Sequence, residues 1–361
     1  MQNFKKKICL IVDSLSSGGA ERSAALLSLE LDKLDYEVSV ICLRNEITYS
    51  FKGELYNLGL NDSNIKLVKQ ASKFLKFKKA YTDVNADFYI DFRMRNRFLF
   101  EYLLHTFVFD ISKIIFTIHS FEVFYHIPKN KWFYNQYRKA HAIVVVSNTI
   151  IKQMQKLFPF NNLNYISNFY QKDTPNIYDS PLEITTPFIL AVGRLNNVIK
   201  QFDQLIDAYL QTNFFKAQIP LYIIGEGKDR GALEKQINEK DIVGYVHLLG
   251  FKSNVKQYMK LAKIVVMSSS VEGFPMVLLE ALNYGTPVVS FDCPSGPSEL
   301  IIDGENGLLV ENQNFEALIT AMDKMHTDQV FYKHCKSKTQ STIQAFSKET
   351  VMAEWIKLFT D

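Results

Sequence analysis

The sequence predicts an α/β protein built from two doubly wound parallel sheets. Short runs of β-branched and other apolar residues alternate with amphipathic helical segments along nearly all of the 361 residues. Several runs are apolar at every position, which is typical of parallel strands that helices cover on both faces. A polar, proline-containing stretch near the middle, residues 168–187, interrupts this alternation and is the predicted linker between two domains.

The predicted strands form one set in each half of the chain. In the first half they are Ile8–Val12, Val38–Leu43, Phe88–Asp91, Ile114–Ile118 and Ala142–Val146. In the second half they are Phe188–Val192, Leu221–Ile224, Val246–Leu249, Ile264–Met267 and Pro287–Ser290. The length of 361 residues also suits two domains, the first predicted over residues 1–168.

The composition is that of an ordinary globular protein, with 47% hydrophobic and 22% charged residues. A net charge of +3 is too small to imply nucleic-acid binding. The 4 cysteines are scattered without a C-x-x-C pair, which argues against a zinc site or disulfides and suits the cytoplasm. The apolar run Ile8–Val12 is too short for a signal peptide, and no stretch is long enough to span a membrane. We therefore expect a cytoplasmic protein that is soluble or peripheral on the inner face of the cytoplasmic membrane.

One stretch of the first half mixes lysines with aromatic residues. Between Lys73 and Lys79, four lysines interleave with Phe74, Leu75 and Phe77, and Arg93, Arg95 and Arg97 follow. Cations near an anionic lipid surface contribute about 1 kcal/mol each, so this stretch is a candidate membrane contact. A solvated helix face with two core aromatics is the alternative.

Ligands of open α/β sheets bind beyond the carboxyl ends of the strands, so with two sheets face to face we expect the ligand in the cleft between them. Gly18 and Gly19 follow the first strand at the entry to a helix, where they allow a ligand close to the backbone or simply form a tight turn. His119 follows the strand that ends at Ile118, and it either faces the ligand or is a partly buried structural histidine.

Cations and glycines follow the strands of the second half. Arg194 and Lys200 come after its first strand, and Lys200 is predicted to open a helix over 201–210. Arginine forks onto phosphate oxygens and lysine adds a point charge, so the two suit a diphosphate, with surface salt bridges as the alternative. The next two strands are followed by Gly225, Gly227, Gly250 and Phe251. Glycines there either let a flat base lie against the backbone or form plain turns.

The segment from Glu272 to Glu280 is predicted to be a loop that feeds a buried helix. Pro275 suits the first helical position, where its missing N–H costs nothing, and the apolar run 276–279 predicts burial. Ionised Glu280 then needs hydrogen-bond donors such as ribose or sugar hydroxyls, while the N–H groups of 273–276 point at whatever precedes the helix. The alternative is an ordinary buried helix with one capping glutamate and one that reaches solvent.

Together these segments resemble the retaining glycosyltransferases of family 4, whose GT-B fold has two Rossmann-like domains facing across a cleft. The residues that carry the resemblance are Gly18-Gly19-Ala20-Glu21-Arg22, Val192-Gly193-Arg194-Leu195 with Lys200, Gly225-Glu226-Gly227, Glu272-Gly273-Phe274-Pro275 with Glu280, and Gly296-Pro297-Ser298-Glu299 followed by Asp303-Gly304-Glu305-Asn306-Gly307-Leu308-Leu309-Val310. The likeness is strongest over 187–312. It implies an N-terminal acceptor domain, a C-terminal donor domain over 169–345, and a last helix within 346–361 that crosses back to the first domain.

The resemblance also implies roles for single residues. Glu272 would contact hydroxyls of the donor sugar and Glu280 those of the ribose. Arg194 and Lys200 would neutralise the diphosphate, and His119 would lie close to the reacting carbon. The predicted substrate-binding residues are Gly18, Gly19, Gly225, Gly227, Gly250, Phe251, Gly273, Phe274, Pro275, Met276 and Glu280.

The implied reaction is sugar transfer from a nucleotide-diphospho-sugar with retention of anomeric configuration, the acceptor hydroxyl attacking the face that the diphosphate leaves. No carboxylate stands out as a nucleophile and a D-x-D motif is absent, so neither a covalent intermediate nor a metal or other cofactor is predicted. The run Cys293-Pro294-Ser295-Gly296-Pro297-Ser298-Glu299 resembles that of bacterial enzymes using UDP-hexoses or UDP-N-acetylhexosamines for surface polysaccharide or lipopolysaccharide. The predicted acceptor is a glycan or a lipid-linked glycan.

Two departures from the family pattern surround the lysine. Arg194 and Lys200 stand one residue further apart than is usual, and Gln201 replaces a glycine that commonly follows the lysine. The loop 195–199 is therefore predicted to be one residue longer. The competing functions are a nucleotide-sugar epimerase or a phosphorylase of the same fold, and a sugar-nucleotide-binding protein without turnover; nucleic-acid binding is disfavoured by the mild charge.

Overall fold

The computed structural model describes residues 5–16, 18–60, 66–171, 184 and 186–360, without the side chains of residues 66 and 67. The internal contacts divide the chain into two compact units. The N-terminal unit comprises Met1–Asn168 with Val351–Asp361, and the C-terminal unit comprises Phe169–Thr350.

A parallel sheet forms the centre of the N-terminal unit. Its strands are β1 (Lys7–Val12), β2 (Glu37–Cys42), β3 (Glu54–Asn57), β4 (Phe88–Asp91), β5 (Ile114–Ile118), β6 (Ala142–Val145) and β7 (Leu163–Tyr165). Within the described residues their order is β3-β2-β1-β4-β5-β6-β7, and every pairing is parallel. Because helices cover both faces, the central strands are buried along almost their whole length, and they read as continuous apolar runs.

Helices follow most strands of this unit. They are α1 (Gly19–Lys33), α2 (Lys66–Val84), α3 (Phe98–Phe107), α4 (Lys131–Tyr137) and α5 (Asn148–Leu157), with short 3₁₀ helices at Ile111–Lys113 and Val123–Tyr125. Side-chain caps fix two of the helix starts: the Ser147 hydroxyl accepts from the N–H of Ile150, and Asn130 Oδ1 accepts from the N–H of Trp132.

The C-terminal unit repeats this architecture with its own sheet. Its strands are β8 (Ile189–Val192), β9 (Leu221–Ile224), β10 (Val246–Gly250), β11 (Ile264–Met267), β12 (Val288–Asp292) and β13 (Gly307–Glu311). Its helices are α6 (Asn197–Lys200), α7 (Phe202–Tyr209), α8 (Asn213–Lys216), α9 (Arg230–Glu239), α10 (Val255–Leu261), α11 (Met276–Asn283), α12 (Pro297–Leu300), α13 (Phe315–Thr327) and α14 (Gln329–Lys338), followed by a 3₁₀ helix at Ser341–Phe346. The last helix, α15 (Lys348–Thr360), belongs to the N-terminal unit from Val351 onward. The sheet order among the described residues is β10-β9-β8-β11-β12-β13, again all parallel.

The predicted fold class, two doubly wound parallel sheets, is confirmed. Every predicted strand is present, with ends that shift by at most two residues. The sequence did not reveal β3, β7 and β13, which are edge strands of their sheets. Edge strands are half-exposed and therefore lack a continuous apolar run. Most of the predicted linker, residues 172–183 and 185, lies outside the described residues.

Each sheet has one point where the strand order reverses. In the N-terminal unit it lies between β1 and β4, and in the C-terminal unit between β8 and β11. At such a point the loops that leave two adjacent strands run in opposite directions and open a crevice at the carboxyl ends. The residues that follow β8 and β11 are therefore brought together by the topology.

Candidate functional site

The loops after β8 and β11 meet through an ion pair. Lys200 Nζ lies 2.5 Å from Glu272 Oε1, and the two side chains are 19% and 14% exposed. Two charges this well shielded from water interact strongly. The structure thus joins two of the predicted catalytic residues, which are far apart in sequence, at the reversal point of the sheet.

Gly193 makes room for the lysine. A Cβ at this position would lie 3.2 Å from Cε of Lys200 and 3.3 Å from the ring of Phe202. The lysine stem therefore runs across the glycine backbone on its way to Glu272. A side chain at 193 would have to displace that stem.

The predicted position of Lys200 in its helix is wrong. Lys200 ends the short helix α6, and Gln201 then takes up a left-handed conformation with φ 52° before α7 begins at Phe202. This explains why a glycine would suit position 201, since glycine reaches positive φ without steric cost.

Residues that the sequence analysis missed hold this turn in place. The Ser268 hydroxyl donates to the carbonyl of Lys200 at 2.7 Å, and the N–H of Ser270 donates to the carbonyl of Ile199 at 2.8 Å. The side-chain amides of Gln201 and Gln313 exchange hydrogen bonds of 2.8 Å in both directions. The serine run 268–270 directly after β11 was a sequence signal for this role, whereas the contact with Gln313 depends on the sheet.

The glycines after β9 serve backbone packing. A Cβ on Gly225, whose φ is 149°, would lie 1.9 Å from the carbonyl oxygen of Gly193, and one on Gly227 would lie 2.3 Å from that of Leu195. The space beside these glycines is thus filled by the β8 loop, which supports the turn interpretation of their sequence pattern. Gly250 has φ 72° at a bulge in β10, and Phe251 beyond it is 52% exposed.

The segment 272–276 is held by the loop after β12. The N–H of Glu272 donates to the carbonyl of Pro294 at 3.2 Å, and the Ser295 hydroxyl donates to the carbonyl of Gly273 at 2.6 Å. Gly296 has φ 103°, and a Cβ there would lie 2.3 Å from Pro275 Cδ. The two loops therefore pack backbone against backbone, which fixes where the Glu272 carboxylate stands.

The helix after Glu272 is buried as predicted, but it begins one residue later. Pro275 precedes the helix, and Met276 is the first residue of α11. The side chains of Phe274 and Met276 are 6% and 7% exposed, so a ligand at this loop would meet backbone rather than these side chains. Glu280, one turn into α11, is half-buried.

The predicted residues of the C-terminal unit differ in how they are placed. Lys200 contacts Glu272 directly, and the backbone of Arg194 lies beside Gly225. The Arg194 side chain is exposed. Burial and, secondly, the charge of Glu272 raise the pKa of the Cys293 thiol to about 12, so this cysteine is a neutral neighbour of the carboxylate.

In the N-terminal unit, Gly18 and Gly19 form the start of α1. Gly18 is the residue before the helix, with an extended backbone at φ −139°, and its carbonyl accepts from the N–H of Arg22 at 3.0 Å. A Cβ on Gly18 would lie 1.8 Å from Oε2 of Glu21, so the glycine permits that carboxylate to fold back.

His119 follows β5 and is a neutral imidazole. Its ring stacks on Phe92 with centroids 5.2 Å apart, and its Nε2 is buried without a hydrogen-bond partner within the described residues. Burial, reinforced by the charge of Arg95, lowers the pKa of His119 to about 3. A histidine in this state can donate or accept a hydrogen bond but is not a cation near neutral pH.

The ring of a second histidine accepts a hydrogen bond from the backbone of His119. His126 Nδ1 lies 3.2 Å from the carbonyl of Arg93, which can only accept, so Nδ1 carries the proton. His126 Nε2 is then the acceptor for the N–H of His119 at 3.4 Å. Burial, followed by the charges of Arg95 and His119, also lowers the pKa of His126, which keeps this tautomer neutral.

Beneath these histidines lies a buried charge cluster, formed by Asp91, Arg93, Arg95 and Glu101. Arg93 lies 2.7 Å from Asp91 and 3.1 Å from Glu101, with its side chain 1% exposed. Arg95 donates to the carbonyl of Thr117 at 2.7 Å. Burial acts to raise the pKa of Asp91, but the two arginines outweigh it and hold that pKa below its usual value. Arg93 and Arg95 are therefore structural and cannot form a basic surface.

Only part of the predicted lipid contact at Lys73–Lys79 is exposed at the protein surface. Lys73 is 7% exposed and Phe77 is fully buried, so both face the protein interior.

Within the described part of the chain, no helix combines the length and apolar character that crossing a bilayer requires. Across the same residues, no three His, Cys, Asp or Glu side chains are grouped so that they could hold a metal ion.

The geometry of the C-terminal unit suits a ligand with both hydroxyl groups and negative charge. A carboxylate and an ammonium group stand side by side, mostly shielded from water, next to a backbone loop that leads into a buried helix. Carboxylates accept from hydroxyl groups, while the cations and the N–H groups of Gly273 and Phe274 before α11 attract anionic oxygens.

Comparison with known proteins assigns the family. The model of the glycosyl transferases group 1 matches residues 149–342, and that of glycosyltransferase family 4 matches residues 17–173. The amylovoran biosynthesis glycosyltransferase AmsD of Erwinia amylovora is 26% identical over 97% of this chain and 98% of its own length. A Campylobacter jejuni enzyme is 28% identical over 98% of this chain and 99% of its own; it is named N-acetylgalactosamine-N,N'-diacetylbacillosaminyl-diphospho-undecaprenol 4-alpha-N-acetylgalactosaminyltransferase.

A solved structure shows the same fold over nearly the whole chain. HepE of Anabaena, in complex with UDP-glucose, superposes with a TM-score of 0.78 at 19% identity, covering 98% of this chain and 100% of that one. The predicted pair of Rossmann-like domains of the GT-B fold is thereby confirmed. Because the group 1 model alone covers more than half of the residues, the chain belongs to the glycosyl transferases group 1 family and is a glycosyltransferase.

Proposed function

We propose that the protein transfers a hexose or N-acetylhexosamine from a nucleotide-diphospho-sugar to a glycan or lipid-linked acceptor, in the synthesis of a bacterial surface polysaccharide or lipopolysaccharide. The donor we expect is UDP-linked, and the reaction is the retaining transfer of family 4. The names of the Erwinia and Campylobacter relatives and the UDP-glucose complex of HepE support this choice. The observation that carries it is the ion pair between Lys200 and Glu272 at the reversal point of the sheet.

The leaving group determines what the cations do. Departure of a diphosphate places negative charge on its oxygens, and Arg194 and Lys200 stabilise that charge. The Lys200 stem is held over Gly193 and its carbonyl is bonded to Ser268, so little reorganisation is needed when the charge develops. The same cations supply the positive charge that a divalent ion would otherwise bring, so we propose a reaction that needs no metal or other cofactor.

Glu272 has a different role. A carboxylate can accept from two sugar hydroxyls, and its contact with Lys200 leaves acceptor capacity on the second oxygen. The pair would hold the donor sugar at the carboxylate and its phosphate at the ammonium group. The backbone N–H groups of Gly273 and Phe274 extend this contact, while Glu280 accepts from the ribose hydroxyls. Phe251 and Gly250 shape the place of the base, and Gly225 and Gly227 contribute indirectly by letting the β8 loop pack against them.

We assign His119 and the α1 start to the sugar and phosphate contacts of the N-terminal unit. With its pKa lowered to about 3, His119 acts as a neutral hydrogen-bond partner of the reacting sugar. A proton must still leave the acceptor hydroxyl, and the departing phosphate oxygen takes it. Gly18 and Gly19 offer the N–H groups at the start of α1 to phosphate oxygens.

The test is a screen of nucleotide-sugars for slow hydrolysis without acceptor, followed by transfer assays with the donor so identified. Arg194→Ala and Glu272→Ala should each reduce turnover by about 10²–10³ while the circular dichroism spectrum stays native. Arg138→Ala and Glu316→Ala, two exposed positions away from the site, are the matched controls and should retain full turnover. Near-normal turnover of both site variants would overturn the assignment, and release of an isomeric nucleotide-sugar would indicate an epimerase.

A further inference from the structure

Helix α3 of the N-terminal unit presents an apolar face to solvent. Phe98, Leu99 and Tyr102 are 53%, 66% and 39% exposed. At 3.6 residues per turn these three positions lie on one side of the helix. We call these three residues the α3 face.

The opposite side of α3 explains why the outer side is apolar. Glu101, the only acid in the helix sequence, is turned inward and pairs with Arg93 at 3.1 Å, and Leu104 and His105 are buried beside it. A helix on a protein surface ordinarily buries its apolar stripe and exposes its polar residues. Here the charged group is inside and the aromatic and aliphatic groups are outside, and neither is accounted for by sugar transfer.

Aromatic and cationic side chains surround the α3 face. Tyr102 packs on half-buried Trp132 with ring centroids 4.9 Å apart. Arg97 immediately precedes α3, and Lys129 and Lys131 lie at the start of α4, the helix that carries Trp132; all three lysine and arginine side chains are exposed. Tyrosine and tryptophan pair an apolar body with a polar tip, which suits the boundary between water and lipid.

Helix α2 lies beside α3 and adds further cations. Phe77 of α2 contacts Phe100 of α3 with ring centroids 6.3 Å apart. Leu75 is 63% exposed, and Lys78 and Lys79 are exposed as well. Exposed positive charge is thus present on the neighbouring helix as well as at the start of α3.

We propose that the α3 face inserts into the headgroup region of an anionic lipid surface, with Arg97, Lys78, Lys79, Lys129 and Lys131 on the lipid phosphates. An interfacial helix binds by apolar burial together with attraction to anionic lipid, and this surface has both. Charge complementarity favours lipid over a second copy of the chain, because a copy would set the same cations against each other. The surface differs from the sequence-based Lys73–Lys79 candidate, since its apolar residues come from α3.

The test is flotation of the purified full chain with vesicles of phosphatidylcholine alone or with about 30% phosphatidylglycerol. The chain should float with the anionic vesicles only, and binding should fall as salt rises from about 0.05 M to about 0.5 M. Phe98→Glu with Leu99→Glu should reduce the bound fraction at least about tenfold, because two apolar side chains that insert into the lipid are lost and negative charge is added. Lys78→Glu with Lys79→Glu should reduce it by a similar factor.

Matched controls come from the C-terminal unit. Val243→Glu with Val330→Glu alters two exposed apolar residues, and Lys333→Glu with Lys338→Glu alters two exposed lysines; both double variants should float like the parent chain. Equal flotation of the Phe98 and Leu99 variant would overturn the proposal. A dimer in light scattering that this variant converts to a monomer would overturn it as well, in favour of a contact between copies.

The proposal can fail separately from the proposed function. Flotation is measured without donor or acceptor, and hydrolysis of a soluble donor is measured without vesicles. The Phe98 and Leu99 variant should keep normal donor hydrolysis, whereas Glu272→Ala should lose hydrolysis and still float.

Discussion

Both units place cations after a strand that borders the reversal point of the sheet, but they use these cations in opposite ways. Arg93 and Arg95 follow β4 in the N-terminal unit and are 1% and 0% exposed, with carboxylates and carbonyls occupying their donors. Arg194 and Lys200 follow β8 in the C-terminal unit, where Arg194 is exposed and Lys200 is 19% exposed. A cation that follows a strand is therefore not by itself evidence of a ligand site. Its side chain must also be exposed enough to reach a ligand.

The buried charge cluster of the N-terminal unit is costly to disturb. Moving a charge out of water costs free energy, and this cost is offset only when its ion-pair partners are in place. Asp91, Arg93 and Glu101 therefore depend on one another. In the C-terminal unit the pair of Lys200 and Glu272 keeps some contact with water, and its loss is correspondingly less damaging to folding.

Breaking the buried cluster should give the largest effect. Arg93→Met removes the ion-pair partner of buried Glu101 and leaves buried Asp91 with Arg95 alone, so we expect the free energy of unfolding to fall by about 3–5 kcal/mol. Arg230→Met, which removes exposed ion pairs with Glu226 and Glu234, should cost less than about 1 kcal/mol. Urea denaturation of both variants measures the difference. Similar losses in the two variants would contradict the distinction between buried and exposed clusters.

The second effect concerns activity. Lys200→Met keeps most of the apolar stem but removes the charge, and turnover should fall by about 10²–10³. The KM for the donor should change less than kcat, because the interaction strengthens as the leaving group departs. Steady-state kinetics with the identified donor measures both constants. A loss confined to KM would show that Lys200 binds the donor without acting in the transition state.

The third effect is a sensitivity to acid that is greater in the N-terminal unit. Burial lowers the pKa of His105 and of His119 to about 3 and places that of His126 well below its usual value. Between pH 6.5 and those folded values, the unfolded chain binds protons that the folded chain does not. The stabilisation that these neutral histidines give is therefore fully present above the pKa of the unfolded chain and is lost as pH falls. At pH 5.5 each of the three histidines should lower the free energy of unfolding by about 1 kcal/mol.

Fluorescence can follow this unit selectively. The 2 tryptophans of the chain, Trp132 and Trp355, both belong to the N-terminal unit. Their emission should report a lower urea midpoint at pH 5.5 than at pH 7.5. His105→Phe should remove about a third of the difference, because both ring nitrogens of His105 are buried without partners within the described residues. If His105→Phe and the parent chain showed the same pH difference, His105 would have to bind protons equally in the folded and the unfolded chain.

The smallest effect should come from the amide pair behind Lys200. Gln313→Ala frees the turn of α6, and we expect kcat/KM to fall by about tenfold, which is less than the effect of removing the charge itself. Gln201→Gly and Gln201→Ala both remove the amide, but alanine is also strained at φ 52°. The alanine variant should therefore be the less active of the two. Equal activity of all three variants and the parent would exclude a positioning role.

Sequence reasoning identified several residues correctly but often missed their surroundings. It found Lys200 and Glu272 from the tips of apolar runs, and the structure joins them. It treated Arg93 and Arg95 as possible surface cations, because nothing in their local pattern shows that Asp91 and Glu101 enclose them. It missed Ser268 and Gln313 as supports of the lysine turn, since the contacts join segments that only the sheet brings together.

The sequence by itself determined the two doubly wound sheets, because buried parallel strands must be apolar on both faces and that pattern is local. It also determined which residue types follow each strand. Only the tertiary structure decided which of those groups are buried with partners and which meet water, because burial and pairing depend on segments distant along the chain. Burial and pairing distinguish the structural arginines after β4 from the cations after β8, and they leave the apolar side of α3 exposed to solvent.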